Sequence, residues 1–496
     1  MTAGARFLAV WLTPALWLQM PALIAGRGPD GLWLALALAL APLVALASRS
    51  RAPAPAEAET AFPVAALLLA VGLLLWANLA LAGDAAVWLG EPRWRGIATA
   101  GAGALLLVAW RGAGRAVPAL LLVAALALGP PLLELARVAG VGPRAAWERV
   151  ATQSAFRFPP SSPWVTEGRD LRLVHGGAAL DFEEEHRLTA PVGGRLTALT
   201  VDGDRPSETE WALAPGQSVV LRAGDRLQSG STARVRFEAD KQVPGSPPSG
   251  MAWAAGNPPD WPRCAGLLVT IVFGAIALGR AGGRISRSEV AWLAGGGLVA
   301  LFWSQAWAIY SILTSPDLFL GGLTAERLLA FPAPVPESIR SASQSCLLLA
   351  GFAGFLASSV ALRERIAALD RTGDGAIGRD LGVWAGVFAI AGLAALWPVD
   401  GWSIARLGLG AAAASLGAAR LVSHRPASPA GAAVAGSLGL IAFAAIAVAG
   451  RLRAGDEGWI GAIVAYPALV AVPLATLALR VARATAPRPR PRPRAR

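Results

Sequence analysis

The stretch Trp303-Ser304-Gln305-Ala306-Trp307-Ala308-Ile309-Tyr310-Ser311 is the most polar part of any long apolar run in the chain. Trp303, Trp307 and Tyr310 stand at i, i+4 and i+7, so a helix places them on one face, flanked by Ser304 and Ser311. Together with Gln305 they could line a pocket for a substrate or a lipid, with aromatic walls and polar anchors. The plainer alternative is an interfacial aromatic belt with hydrogen bonds between helices. Nineteen Trp against two Tyr make Trp the general interface anchor of this protein. Glu134, three residues before Arg137, is a carboxylate at a membrane edge that could act as a base or proton site, or simply pair with the arginine. Gln19 and Asn78 are single polar groups at membrane depth, where bonding between helices is expected.

Metal and redox chemistry have few carriers. Asp370-Arg371-Thr372-Gly373-Asp374-Gly375-Ala376-Ile377 resembles the first part of an EF-hand loop, with Asp370, Thr372 and Asp374 at positions 1, 3 and 5 and Gly375 at the turn. Position 12 is Leu381, not the bidentate Glu, and only Asp370 and Asp374 remain as metal candidates. The run Asp181-Phe182-Glu183-Glu184-Glu185-His186 offers carboxylates and an imidazole, although alternate residues of a strand point to opposite faces. His175, His186 and His424 all lie outside apolar runs, which disfavours a haem held by two membrane histidines. Cys264 and Cys346 begin two apolar stretches and could form a disulfide if their Cα atoms come within ~7 Å. Phosphate-binding glycine loops, zinc-protease helices and nucleophile elbows are missing from the sequence, and no cofactor is expected.

The elements that must position these groups are apolar helices. Of 496 residues 55% are hydrophobic and 15% charged, against the ~25% charged of an ordinary soluble protein. About twelve apolar stretches can be marked, at 7–25, 31–48, 61–83, 96–110, 117–138, 263–280, 288–313, 344–362, 381–397, 402–420, 430–450 and 458–480. Most approach the ~20 residues that cross ~30 Å of hydrocarbon. The expected fold is therefore a polytopic α-helical membrane protein of about twelve spans, with a small all-β extramembrane domain inserted between the fifth and sixth. Residues 1–138 and 263–482 form the two membrane parts, 139–262 the inserted domain with Pro/Ser/Gly-rich tethers at 155–164 and 243–262, and 483–496 a disordered Arg/Pro tail.

The formal charge of +12 resides almost wholly in arginine, Lys241 being the single lysine. The arginines gather at the ends of apolar runs and in the tail, as topology signals rather than as a phosphate-binding face, so no nucleic-acid partner is expected. Placing the N-terminus in the cytoplasm puts fourteen loop arginines inside and seven outside, before a basic tail that adds to the inside. Both termini are thus expected in the cytoplasm and 139–262 in the periplasm of a bacterial inner membrane.

Within the inserted domain, strands are expected at Leu171–Val174, Arg195–Val201, Ser218–Arg222 and Ala233–Ala239, separated by Gly- and Pro-bearing turns. Thr189-Ala190-Pro191-Val192-Gly193-Gly194-Arg195-Leu196, followed by Gly224-Asp225-Arg226-Leu227, resembles the barrel-sandwich fold of lipoyl domains and membrane-fusion proteins over roughly forty residues. The lysine that carries lipoate in that family is absent from the turn, so the resemblance implies a binding or structural module. The functional expectation is a non-enzymatic membrane subunit or scaffold that presents this domain to membrane or periplasmic protein partners. The alternatives are a transporter of a small or lipid-like substrate and an enzyme acting on a lipid-linked substrate, for which Asp30, Asp84 and Glu91 are the early acidic candidates. Scarce mid-membrane charge argues against ion-coupled transport.

Overall fold

The computed structural model of the chain describes residues 3–11, 13–18, 20–47, 61–89, 91–110, 113–129, 143–170, 180–202, 205–228, 233–256, 260–279, 287–320, 337–367, 376–397, 401–417, 429–451 and 458–484. Glu134, Arg137, Asp370, Asp374, His175, His424, Gln19 and the Arg/Pro tail lie outside them.

Most of the described chain is α-helix, and five helices contain windows long and apolar enough to cross a membrane: Val64–Val87, Trp261–Leu278, Gly295–Leu313, Ser345–Ile366 and Ala433–Gly450. A sixth span arises if the pair Trp459–Ala465 and Ala468–Ala482, bent by 79° at the break around Tyr466 and Pro467, counts as one. The expectation of twelve spans is therefore corrected to five or six among the described residues. For four of the other apolar stretches the reason is a break or too short a helix. The first apolar stretch is divided into Ala3–Trp11, Pro14–Trp17 and Met20–Arg27, because a proline cannot continue a preceding helix. Arg93–Ala109 and Ala113–Ala127 hold 17 and 15 residues, which at 1.5 Å per residue fall short of ~30 Å. Gly401–Ala412 gives way to a π turn at Ala413–Gly417.

These helices share one large apolar core, yet large apolar side chains also cover the outside: Leu106 is 76% exposed, Ile390 71%, Leu298 68% and Ile441 65%. Helices apolar all round have lipid as their compatible solvent. The arginines that read as topology markers have structural partners. Arg93 donates from Nε to the Ala395 carbonyl at 2.8 Å and from Nη2 to Ala80 at 3.2 Å while ion-paired to Asp84. Arg365, buried, donates to the Ala277 carbonyl at 3.1 Å, near the C-terminus of Trp261–Gly279. Cations there satisfy orphan carbonyls and complement the helix dipole.

Between the two groups of helices, the described residues of 143–256 carry eight short antiparallel strands in three sheets. β2 (Leu180–Asp181), β7 (Arg226–Leu227), β4 (Gly194–Asp202) and β5 (Arg205–Leu213) form the four-stranded one in the order β2-β7-β4-β5. β1 (Arg169–Asp170) pairs with β8 (Arg234–Val235), and β3 (His186–Thr189) with β6 (Ser218–Leu221). The expected strands at 195–201 and 218–222 are found, 233–239 shrinks to two residues, and 171–174 lies outside the described residues. Gly194, at φ +140°, lets the chain pass Ala233, whose Cα a Cβ here would meet at 2.6 Å. β4 pairs with β7 at Ala198↔Leu227 and Leu199↔Arg226. The region is nevertheless not the all-β domain expected from the turns, since helices Pro143–Ala151, Pro163–Thr166 and Gly250–Ala255 belong to it. Ser162 and Ser249 cap the last two, each accepting a backbone N–H through its hydroxyl, which is how Ser/Pro-rich sequence becomes helix start rather than tether.

The flanks pair with each other. Phe158 donates its N–H to the Lys241 carbonyl and Val243 donates to Phe156, both at 2.8 Å, with Arg157 bridged to Gln242. Phe156, Phe158 and Val243 are fully buried. The segment's own core, with Phe158, Trp164, Phe182, Leu196, Leu221 and Phe237, is completed by Leu320, which follows the Arg287–Thr314 helix. Ser162 Oγ donates to Asp317 at 3.0 Å, and Phe156 packs on Phe319 at 4.9 Å between ring centres. On the other side the Trp253 indole donates to the Ala25 carbonyl at 2.8 Å and packs against Trp147.

Candidate functional site

The aromatic row predicted on 303–310 exists and is closed. Trp303 stacks on Trp307 at 5.9 Å and 8°, and Trp307 on Tyr310 at 5.5 Å and 30°. Trp17 meets Trp303 edge-on at 5.0 Å. All three residues of the row are about 1% exposed, and Ser304 turns its hydroxyl back to the Ala300 carbonyl at 2.6 Å. Gln305 is half-buried. The i, i+4, i+7 spacing thus builds a ladder inside the helical core, and none of these residues lines the cavity described next. Trp303 Nε1 is buried without a hydrogen-bond partner among the described residues.

Cys264 and Cys346 are not joined: both remain thiols, on Trp261–Gly279 and Glu337–Ala367 respectively, which corrects the disulfide considered for them. Bridging demands adjacent Cβ positions, and starting two apolar stretches at similar depth does not supply them.

The acidic run at 181–186 is distributed rather than gathered. Asp181 pairs with Arg226 at 3.1 Å, Glu184 accepts the Gln242 N–H, and Glu183 accepts the Gln242 side-chain amide at 2.9 Å. No group of three or more His, Cys, Asp or Glu able to hold a metal occurs among the described residues. His186 instead points inward, edge-on to Phe182, Phe237 and Phe158 at 5.2, 6.0 and 6.5 Å. Burial pushes its pKa down from 6.5 to about 4, Lys241 acting in the same direction, while Glu184, Glu238 and a hydrogen bond with the Gln242 backbone oppose it. The unfolded chain takes up this proton from pH 6.5 downward and the folded one only near 4. The stability it contributes is therefore full above pH 6.5 and falls on acidification to about 4, by at most about 1.4 kcal/mol per pH unit. Unfolding measured against pH is expected to lose this part of its slope in His186→Phe, and an unchanged slope would exclude the histidine as its source.

A cavity of about 430 Å³ runs beside the Ala61–Trp88 helix. Along that helix its wall is made by Asn78, Leu81, Ala82, Ala85, Ala86 and Leu89; Pro14 and Leu18, Gly96 and Ala100, and Leu347, Gly351, Phe352 and Phe355 close it from three other helices. Small residues make the space. The Arg93–Ala109 helix approaches so closely at Gly96 that a Cβ there would meet the Ala82 carbonyl at 2.2 Å. The walls are mostly apolar, with Thr99 on one of them, and the other polar lining groups sit at the two ends.

At the inner end Asn78 uses every hydrogen-bonding site it has. Its oxygen accepts the Thr13 hydroxyl at 2.9 Å and the Ala15 N–H at 3.1 Å, and its nitrogen donates to Thr13 Oγ1 at 2.6 Å and to the Leu74 carbonyl at 2.8 Å. Thr13 occupies the N-cap position of Pro14–Trp17 without capping it, so Asn78 supplies the missing acceptor from another helix. At the outer end Glu91 and Arg95 form an ion pair one turn apart, with Arg95 over the Trp94 ring at 5.7 Å and both charges about half exposed. Of the early carboxylates considered for chemistry, Asp84 is held by Arg93 and Glu91 by Arg95.

Sequence reasoning singled out Asn78 and Glu91 separately but missed Arg95, Thr99 and the slot that joins them. It also missed Arg406, whose guanidinium lies over Tyr466 at 5.1 Å and Trp402 at 5.9 Å. An arginine inside the apolar run Gly401–Ala412 was the available signal. Neither a protein-family model nor a curated protein matches this chain.

Proposed function

We propose that the protein is a non-enzymatic subunit or scaffold of a bacterial inner membrane, which holds segment 143–256 on the periplasmic side, with both termini in the cytoplasm, for membrane or envelope protein partners. The observation that carries this reading is the way the segment is seated: its core is completed by Leu320, and Trp253 fastens its far end to Ala25. A module fixed at two points presents its surface in one orientation, which suits positioning of a partner. Val192 and Val220, 67% and 44% exposed, offer apolar contacts on that surface.

A second reading, handling of a lipid-like molecule, is favoured by the apolar slot along Ala61–Trp88. The pairing of Asp84 and Glu91 with arginines weighs against either as the base of a transferase acting on a lipid-linked substrate.

A photoreactive amino acid placed at Val192 or Val220 in the full-length protein in its native membrane is expected to capture a discrete membrane or envelope protein. A membrane-impermeant maleimide is expected to label Val220→Cys from outside intact spheroplasts. Labelling only after lysis would reverse the proposed sidedness, and a protein that runs alone, captures nothing and retains a full activity of its own would end the scaffold reading.

A further inference from the structure

We propose that the slot along the Ala61–Trp88 helix holds one acyl chain of a glycerophospholipid whose headgroup carries both a phosphate and an ammonium. The length of the slot is the first argument. From Asn78 to Leu89 it follows eleven residues of helix, about 16 Å at 1.5 Å per residue, which matches one leaflet, half of a ~30 Å hydrocarbon core.

The distribution of polarity is the second. Between the ends the walls are alkyl and aromatic apart from the exposed Thr99, with Leu81, Ala85, Leu348 and Phe352 among them. A polar solute lying there would leave its own groups unsatisfied, at a cost of several kcal/mol per group in an apolar environment. The buried polar side chain at the inner end, Asn78, already makes four hydrogen bonds. It therefore makes no demand on whatever reaches it, and the methyl end of a chain is compatible.

The third argument is the outer end. Glu91 and Arg95 present one negative and one positive charge, each about half exposed, beside Trp94. Trp and Arg at that position are the usual furniture of the headgroup level. A phosphate would engage Arg95 and an ammonium Glu91, so the opposed pair favours a zwitterionic head over an anionic one. Thr99, one turn further along the same helix, adds a hydroxyl to the slot.

The proposal does not rest on the scaffold reading, and the two fail separately, since crosslinks from Val192 or Val220 report on the sheet-bearing segment and not on the slot. The test uses the full-length protein in nanodiscs containing phosphatidylethanolamine with a diazirine in its acyl chain. After illumination, adducts are expected on the peptides that carry Leu81–Leu89 and Leu347–Phe355, reduced at least fivefold by Ala85→Phe. Gly351→Leu serves as the second blocking variant, because a Cβ there meets nothing nearer than Leu18 at 3.6 Å. Leu126→Phe, on an exposed apolar surface outside the slot, is expected to leave the adducts unchanged. Adducts spread evenly over exposed positions such as Leu106 and Leu298, and indifferent to both blocking variants in folded protein, would overturn the site. Unlabelled phosphatidylethanolamine is expected to compete at least threefold better than phosphatidylglycerol or a free fatty acid, and this preference is expected to vanish in Arg95→Ala and in Glu91→Ala. Equal competition by all three in the wild-type protein would overturn the headgroup assignment.

Discussion

Replacing Trp253 by alanine is expected to destabilise the protein by about 4 kcal/mol, in the range found when a buried Trp is truncated to Ala. Trp253 is 3% exposed, packs against Trp147 at 4.6 Å between ring centres, and donates its indole N–H to Ala25 at 2.8 Å. The backbone around it is equally constrained. Gly28 sits at φ +58°, and a Cβ there would meet the Trp253 carbonyl at 2.5 Å, so the two segments touch through main-chain atoms. Truncation removes the packing and leaves a void that this close contact keeps from collapsing. Trp253→Phe keeps most of the bulk and loses only the indole donor, for which about 1 kcal/mol is expected. Thermal unfolding in detergent gives the energies, and limited proteolysis gives their location. In Trp253→Ala, cleavage within 143–256 is expected to accelerate well before the membrane helices unfold. If the two variants were equally stable, or if proteolysis of the segment were unchanged, Trp253 would not be the fastening point.

Asn78→Leu carries the second large effect, a loss of about 2–3 kcal/mol. Leucine matches the apolar surroundings and strips four hydrogen bonds from a buried site. Interhelical hydrogen bonds in membranes are individually modest, at about 0.6 kcal/mol on average. The larger figure comes from what is left behind: the Ala15 N–H and the Thr13 hydroxyl become buried donors without their acceptor. Ser358 donates its hydroxyl to Thr13 Oγ1 at 3.4 Å and so does not supply the missing acceptor. The three groups form one network, so their substitutions should not add. Thr13→Val alone is expected to cost about 1 kcal/mol, and Thr13→Val combined with Asn78→Leu little more than Asn78→Leu by itself. Strict additivity in this double-mutant cycle would show that the network does not act as a unit.

Much of this was legible locally. The depth of Asn78 in an apolar run already required a partner on another helix, and the structure supplies Thr13 and Ala15. The spacing of Trp303, Trp307 and Tyr310 required a common face, and they share one. What that face touches was not legible. An aromatic row can meet lipid, ligand or protein, and here Trp17, nearly three hundred residues away in the chain, meets it. The arginines show the same division. Their places at the ends of apolar runs read as topology signals, whereas Arg93 and Arg365 are engaged with carbonyls of helices distant in sequence, Arg93 reaching one 302 positions away.

The sequence by itself determined the solvent and the local conformations. Apolar composition with few charges demands lipid, because a bilayer accepts only backbones that satisfy their own hydrogen bonds. Glycines at turn positions and alternating short runs demanded strands between 171 and 239, of which those at 195–201 and 218–222 are found. Only the tertiary structure decided how many helices are long enough to span, that the Pro/Ser-rich flanks pair with each other, and that an apolar slot lies between four helices with Asn78 at one end and an opposed charge pair at the other. The physical reason is that local conformation follows from neighbours within a turn or two. A cavity, a fastening point and the partner of a buried polar group are set by which surfaces meet, and in this chain those surfaces come from residues hundreds of positions apart.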